Sequence, residues 1–272
     1  MLARKQWGTL LMRDFAYARP ASLADAANAF AGGGEAAFIA GGHTLLPAIK
    51  SRLRMPDTLV DLAAIPGLAG VTLMGDRVWI GAMTTHAAVA LEASAIPALM
   101  AMANVIGDQQ VRNRGTLGGV IANNDPAADY PAALLALDAV IETDRGSYAA
   151  DDYFQGMFAT ALADGEIVTR VGFKVPLAAA YAKFRHPASR YAIVGVFVAR
   201  FADDVRVGVT GAGPGVFRWS DAEAALSADF SVAALAGVML GDSDLNTDIH
   251  ASAEFRAHLA GVMLRQAVAE AG

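Results

Sequence analysis

The chain has 272 residues, 55% hydrophobic and 18% charged, with a net charge of −6 at pH 7. That is enough chain for two or three small domains around sizeable cores, and the acid excess argues against nucleic acid, whose phosphates call for a basic face. Cysteine is absent, which excludes disulfides, thiolate zinc sites and iron–sulfur clusters from these residues; the five histidines are scattered without metal-ligand spacing.

The first fifteen residues carry a few basic side chains and a short apolar patch broken by Gly8 and Thr9. They lack the apolar region of a signal peptide, and no run approaches the ~20 apolar residues of a membrane span. The sequence therefore predicts a soluble cytoplasmic protein, with membrane association at most peripheral. Ser22 and Asp25 open a run of Leu23, Ala26, Ala27 and Phe30 that glycines 32–34 stop, which predicts a capped helix. Residues 37–40 read as a strand running into Gly41 and Gly42. Thr44 is then expected to cap a short helix with Pro47 in its first turn, and residues 58–61 form another strand. Residues 1–65 thus read as a small βαβ unit, with 1–11 as an extension.

The pattern changes in residues 66–176. Two apolar runs flank Gly75 and Asp76 as a hairpin. Thr84 or Thr85 caps a helix through Ala93, residues 97–105 continue as helix, and 130–137 is helical again. Residues 139–143 and 166–175 read as strands, so this region is mixed and mostly antiparallel. In residues 177–272, strands at 181–185, 192–201 and 205–210 precede helices at 221–226, 232–240 and 253–269. The last helix carries Phe255, Leu259, Met263, Leu264 and Val268 mostly on one face.

Two segments are too rich in glycine and small polar residues to be core. Residues 40–44, Ala40, Gly41, Gly42, His43 and Thr44, lie between a strand and a helix, where backbone N–H groups and the helix dipole bind phosphate; a tight βα turn is the alternative. Residues 111–119, read as too glycine-rich for a helix, include Thr116, Gly118 and Gly119. Asn123 and Asp129 follow, the latter able to take ribose hydroxyls or to cap the next helix. Two anion-cradling loops point to a diphosphate and hence to a dinucleotide cofactor. Residues 211–215 resemble a dinucleotide fingerprint only superficially and read as a turn. Lys183 and Tyr191 flank a short basic loop that otherwise reads as a hairpin connection.

In this order, AGGHTLLP (40–47), IGDQQVRNRGTLGG (106–119), DPAADYPAALLALDA (125–139) and KFRHPASRYAIVGV (183–196) resemble the FAD-binding, or medium, subunits of molybdenum hydroxylases. That family includes xanthine dehydrogenase and aerobic carbon monoxide dehydrogenase, and the AGGH form is nearer the second. The resemblance runs from about residue 15 to the C-terminus. It implies an α+β chain: a two-part FAD-binding fold of the vanillyl-alcohol-oxidase type, 1–65 and 66–176, and a flavoprotein C-terminal domain, 177–272, built as a small antiparallel sheet with a helical bundle. It implies non-covalent FAD, its diphosphate held by Ala40, Gly41, Gly42, His43 and Thr44 and by Thr116, Gly118 and Gly119. Asn123 and Asp129 match cofactor contacts, Ile167 and Val168 apolar contacts at the flavin edge, and Lys183 and Tyr191 residues beside the ring.

With that resemblance the missing cysteines become informative. The 2Fe-2S clusters belong on an iron–sulfur small subunit and the molybdopterin cofactor on a large subunit, in a dimer of heterotrimers. This chain then relays electrons through FAD to an external acceptor. A stand-alone flavin oxidase would be reduced directly by substrate, and a scaffold that keeps the fold without a redox-active flavin would purify colourless.

Overall fold

The computed structural model describes residues 13–32 and 34–272, so the 1–11 extension lies outside the described residues. The chain divides after Pro66 into two compact units. In the first, β1 (Ala16–Ala18), α1 (Leu23–Ala31), β2 (Ala36–Ile39), α2 (Leu45–Lys50) and β3 (Thr58–Asp61) follow in sequence. The sheet is parallel with the order β1-β3-β2. Ser22 caps α1 as expected, its Oγ accepting the Asp25 N–H at 3.1 Å. Thr44 does not cap α2: its backbone is already helical at φ −102°, ψ −48°, and its side chain makes no cap bond, because capping by a hydroxyl needs extended geometry. Ala37, Ile49 and Leu59 form the small core.

The second unit opens on a five-stranded antiparallel sheet, in the order β4-β5-β8-β6-β7. Its strands are β4 (Val71–Met74), β5 (Arg77–Gly81), β6 (Val140–Thr143), β7 (Ser147–Ala149) and β8 (Val168–Lys174). Between β5 and β6 run α3 (His86–Glu92), α4 (Pro97–Asn104), α5 (Gln109–Arg112), α6 (Leu117–Asn123) and α7 (Tyr130–Ala136); α8 (Ala150–Tyr153) follows β7. The four-stranded sheet is built from β9 (Ala178–Arg185), β10 (Ala192–Arg200), β11 (Val205–Thr210) and β12 (Phe217–Arg218), in the order β12-β11-β10-β9. It too is antiparallel. α9 (Ser220–Ala228) and α10 (Ala253–Ala271) complete the chain.

β10 explains its own sequence. Eight successive residues, from Ala192 to Ala199, are buried, because both faces of the sheet are covered. Tyr181, Phe197 and Ala199 join the core around α7. Ala180, Ala182, Val194, Val196 and Val198 join the core around α10. Arg206, buried on β11, bonds Asp138 at 2.7 Å and Asp151 at 2.6 Å, and Arg77 of β5 donates to the Asp138 carbonyl at 2.6 Å. The two sheets of this unit are tied by that ionic chain.

Three further expectations are corrected. Residues 111–119 are not a loop: Arg112 ends α5 and Leu117, Gly118 and Gly119 form the first turn of α6. The reason is packing, since a Cβ at Gly118 would lie 2.5 Å from the Ala82 Cβ; glycine lets the helix press on the backbone after β5. Residues 232–240 hold only a 3₁₀ turn, Ala233–Leu235. Ser231 Oγ starts it by accepting the Ala234 N–H, and Gly237 and Gly241 discourage its extension. The C-terminal helices do not form a bundle; α10 lies against β9 and β10, and α9 against β11.

Candidate functional site

The loop from β2 to α2 is open in its hydrogen bonding. Gly42 sits at φ +75°, left-handed backbone that other residues adopt at a cost. Its carbonyl accepts the Leu46 N–H at 3.1 Å and starts α2. Among the described residues, no protein acceptor takes the N–H of Gly41, Gly42, His43, Thr44 or Leu45. Five successive unclaimed amides on a glycine turn are a nest for anionic oxygens. The Thr44 hydroxyl, released from capping, adds a donor.

The second glycine segment is closed at all but one amide. Thr116 is 4% exposed, and its Oγ1 accepts the Gly119 N–H at 3.2 Å. The Leu117 N–H goes to the Thr84 carbonyl and the Gly118 N–H to the Ala82 carbonyl at 2.8 Å. Thr116 therefore caps α6; protein acceptors take the N–H groups of Leu117, Gly118 and Gly119, and among the described residues the Thr116 N–H has none. At the other end of α6, Asn123 makes no side-chain hydrogen bond within the described protein. Its neighbour Asn124 does the structural work: left-handed at φ 45°, it donates from Nδ2 to the Gly156 and Ala159 carbonyls at 2.8 and 2.7 Å.

Asp129 does not cap α7. Its carboxylate is buried, and Lys183 Nζ stands 2.8 Å from Oδ1 and 3.0 Å from Oδ2. The Tyr181 hydroxyl donates to Oδ1 at 2.5 Å. Both ionic side chains are 5% exposed. Burial pushes the Asp129 carboxyl above its usual range, against the pull of the Lys183 ammonium and the Tyr181 hydroxyl. Burial, followed by the Asp129 charge, lifts the Tyr181 phenol well above its own range. Tyr181 and Lys183 share one face of β9 through the two-residue period, so the tyrosine was findable from the lysine. Asn124 had a weaker signal, an amide residue at a helix end where left-handed backbone is common.

Tyr191 lies at the far end of the β9–β10 turn, and its phenol is raised first by partial burial, then by Asp125 and Asp129. The turn itself is clasped by His186, whose Nδ1 accepts the N–H groups of Ala188 and Ser189 at 3.2 and 3.1 Å. Ile167 and Val168 stand at the start of β8, 2% and 6% exposed. The Ile167 N–H donates to Asp144 Oδ1 at 2.8 Å. The preceding Glu166 is fixed by the hydroxyls of Thr143 and Tyr148 and by the Ala163 N–H, at 2.6, 2.9 and 2.8 Å.

Burial pushes the Glu166 carboxyl up, and those donors outweigh it and hold it below its usual range. Glu166→Gln is accordingly expected to cost about 1–3 kcal/mol at neutral pH. Because the folded group titrates lower than the unfolded one, its stabilisation is present above the unfolded value near 4.3 and fades as pH falls through the folded value. Denaturant melts from pH 7 to pH 3 should show the gap between wild type and variant closing in acid; a constant gap would refute the assignment.

Residues 13–177 match the family described as the FAD binding domain in molybdopterin dehydrogenase, and residues 179–271 the CO dehydrogenase flavoprotein C-terminal domain. The nicotine 6-hydroxylase medium subunit of Paenarthrobacter nicotinovorans is 37% identical over 94% of this chain and 96% of its own length. The carbon monoxide dehydrogenase medium chain of Afipia carboxidovorans is 35% identical over 95% of this chain and 96% of its own. Among solved structures, quinoline 2-oxidoreductase from Pseudomonas putida superposes with a TM-score of 0.86 at 27% identity, covering 96% of this chain and 98% of that one. Carbon monoxide dehydrogenase from Oligotropha carboxidovorans does so at 0.84 and 34%, with the same coverage.

Proposed function

Because this chain belongs to the FAD-binding medium subunits of the molybdenum hydroxylases, we propose that it holds FAD non-covalently and passes electrons from a partner's 2Fe-2S clusters to an external acceptor. The observation that carries the reading is the run of unclaimed amides at residues 41–45. Such amides suit a diphosphate, and Ala40 joins them to the end of β2. When bound, FAD supplies the exchange of electrons between one-electron clusters and an acceptor; this chain's residues supply binding, orientation and charge. The two-part fold is read as the vanillyl-alcohol-oxidase type.

We assign the diphosphate to Gly41, Gly42, His43 and Thr44. The role of Thr116, Gly118 and Gly119 is to close the packing of α6 and so aim its far end, where Asn123 offers an unclaimed amide to the cofactor. Asp129 and Lys183 act as one buried pair, with Lys183 and Tyr191 beside the flavin ring and Ile167 and Val168 at its edge. Clusters and molybdopterin sit on an iron–sulfur small subunit and a large subunit, in a cytoplasmic dimer of heterotrimers. Among the described residues no helix is long and apolar enough to cross a membrane.

Two measurements check this. Acid precipitation should release all flavin to the supernatant, since the chain has no cysteine and His43 lies at the diphosphate; colour retained in the pellet would overturn non-covalent binding. The isolated chain should keep its flavin oxidised when mixed with the complex's substrate and reduce it only when the partner chains are added. Turnover by the isolated chain with an artificial acceptor would replace the relay by a stand-alone oxidase.

A further inference from the structure

Tyr181 has no assigned role, yet its surroundings are built for its hydroxyl. The residue opposite Lys183 on β10 is Gly195. A Cβ at Gly195 would fall within van der Waals overlap of the Tyr181 hydroxyl, 2.3 Å away, and 3.0 Å from the Thr210 methyl. Glycine is therefore what leaves room for the phenol to reach Asp129. The slot is deep: Tyr181 is 9% exposed and Asp129 4%. The carboxylate meets two side-chain donors, the Tyr181 hydroxyl on Oδ1 and the Lys183 ammonium on both oxygens. The ammonium also reaches the Val105 carbonyl at 3.4 Å.

A carboxylate shared between two donors holds each less tightly than a carboxylate with one. While Tyr181 satisfies part of Asp129, the Lys183 charge is less fully neutralised and keeps a field outside the pair. Without the phenol, Lys183 is the remaining side-chain donor, is drawn onto Asp129, and presents a closed dipole instead of a cation. We propose that Tyr181 is a positioning residue: through Asp129 it sets how much of the Lys183 charge the flavin feels. The proposal rests on the reading that FAD binds here with Lys183 beside its ring. A nearby cation favours the electron-rich reduced ring, so the phenol raises the flavin's midpoint potential.

The experiment is a reductive titration of the FAD-loaded complex against a reference dye, followed by flavin absorbance, with flavin-to-protein ratio measured on each sample. Tyr181→Phe is expected to keep its FAD and to shift the oxidised-to-reduced ratio at fixed dye potential about tenfold toward the oxidised form, about 30 mV for a two-electron couple. Gly195→Ala removes no polar group but displaces the same hydroxyl, and should shift the ratio the same way. Lys183→Gln should shift it at least as far, and adding Tyr181→Phe to it should then change little.

A Tyr181→Phe complex with full FAD and an unmoved ratio overturns the proposal. So does a double variant in which the two shifts simply add, because the phenol would then act without the lysine. If Lys183→Gln itself leaves the ratio unmoved, the placement of Lys183 beside the ring is what fails. If neither Tyr181→Phe nor Gly195→Ala retains flavin, Tyr181 is a requirement of folding or loading and the proposal falls.

Discussion

Asp129→Ala is expected to lower the melting temperature of the FAD-free chain by roughly 6–20 °C. The estimate follows from burial. Lys183 and Asp129 are each 5% exposed, and removing one partner of a buried pair strands the other charge, at about 3–5 kcal/mol. Each kcal/mol moves the melting point of a domain this size by about 2–4 °C. The control is Asp129→Leu combined with Lys183→Met. Buried pairs replaced together by apolar side chains are often neutral or stabilising, so the double variant should melt close to wild type. It should nevertheless bind FAD more weakly than wild type, since both charges are gone. Calorimetry and flavin content, measured on the same samples, separate the two roles. A single variant that melts with the wild type would show that the pair is not desolvated. A double variant with normal flavin would remove Asp129 and Lys183 from the cofactor site.

What the sequence disclosed follows from the range of the interactions involved. α1 was legible because its cap is three residues from its partner, Ser22 to Asp25. The hairpin at Gly75 was legible for the same reason, and β10 because an unbroken apolar run has few other uses. The relation of Asp129 to Lys183 was not, since it spans 54 residues and depends on α7 packing against the four-stranded sheet. At Asp129 the local reading offered ribose hydroxyls or a helix cap; the cap bond is absent, and tertiary charge pairing holds the carboxylate. Thr44 likewise looks like a cap, but a backbone already helical at that position leaves the hydroxyl nothing to cap. At residues 115–119 composition could not show the packing: Gly118 is glycine because Ala82, far away in sequence, leaves no space for a side chain. The family resemblance named both glycine segments as cofactor loops; bond by bond, among the described residues, 41–45 offer five unclaimed amides and 116–119 one, that of Thr116.

That difference makes Gly42→Val and Gly118→Val opposite experiments on similar motifs. At Gly42 the backbone is left-handed at φ +75°, and an added Cβ would stand 3.1 Å from the flexible Leu46 Cδ1. A valine there costs about 1–3 kcal/mol in backbone strain and places a branched side chain on an open turn. Losing one charge-assisted hydrogen bond of about 1.5–3 kcal/mol weakens FAD affinity by roughly ten- to a hundredfold, and a turn that flips to relieve its strain loses several. Gly42→Val should therefore purify with little flavin while the 67–272 unit keeps its wild-type melting. At Gly118 the new Cβ would lie 2.5 Å from the Ala82 Cβ and 2.9 Å from its carbonyl oxygen, in a buried contact with a rigid backbone. Gly118→Val should lose stability by about 1–3 kcal/mol or more through overpacking, with flavin lost as a consequence. The readouts are the flavin-to-protein ratio and the melting of the FAD-free proteins. Full flavin occupancy in Gly42→Val would reduce the β2–α2 loop to a turn. A Gly118→Val protein that melts normally but binds no FAD would return that glycine to the phosphate, against the hydrogen bonds that now claim its neighbours.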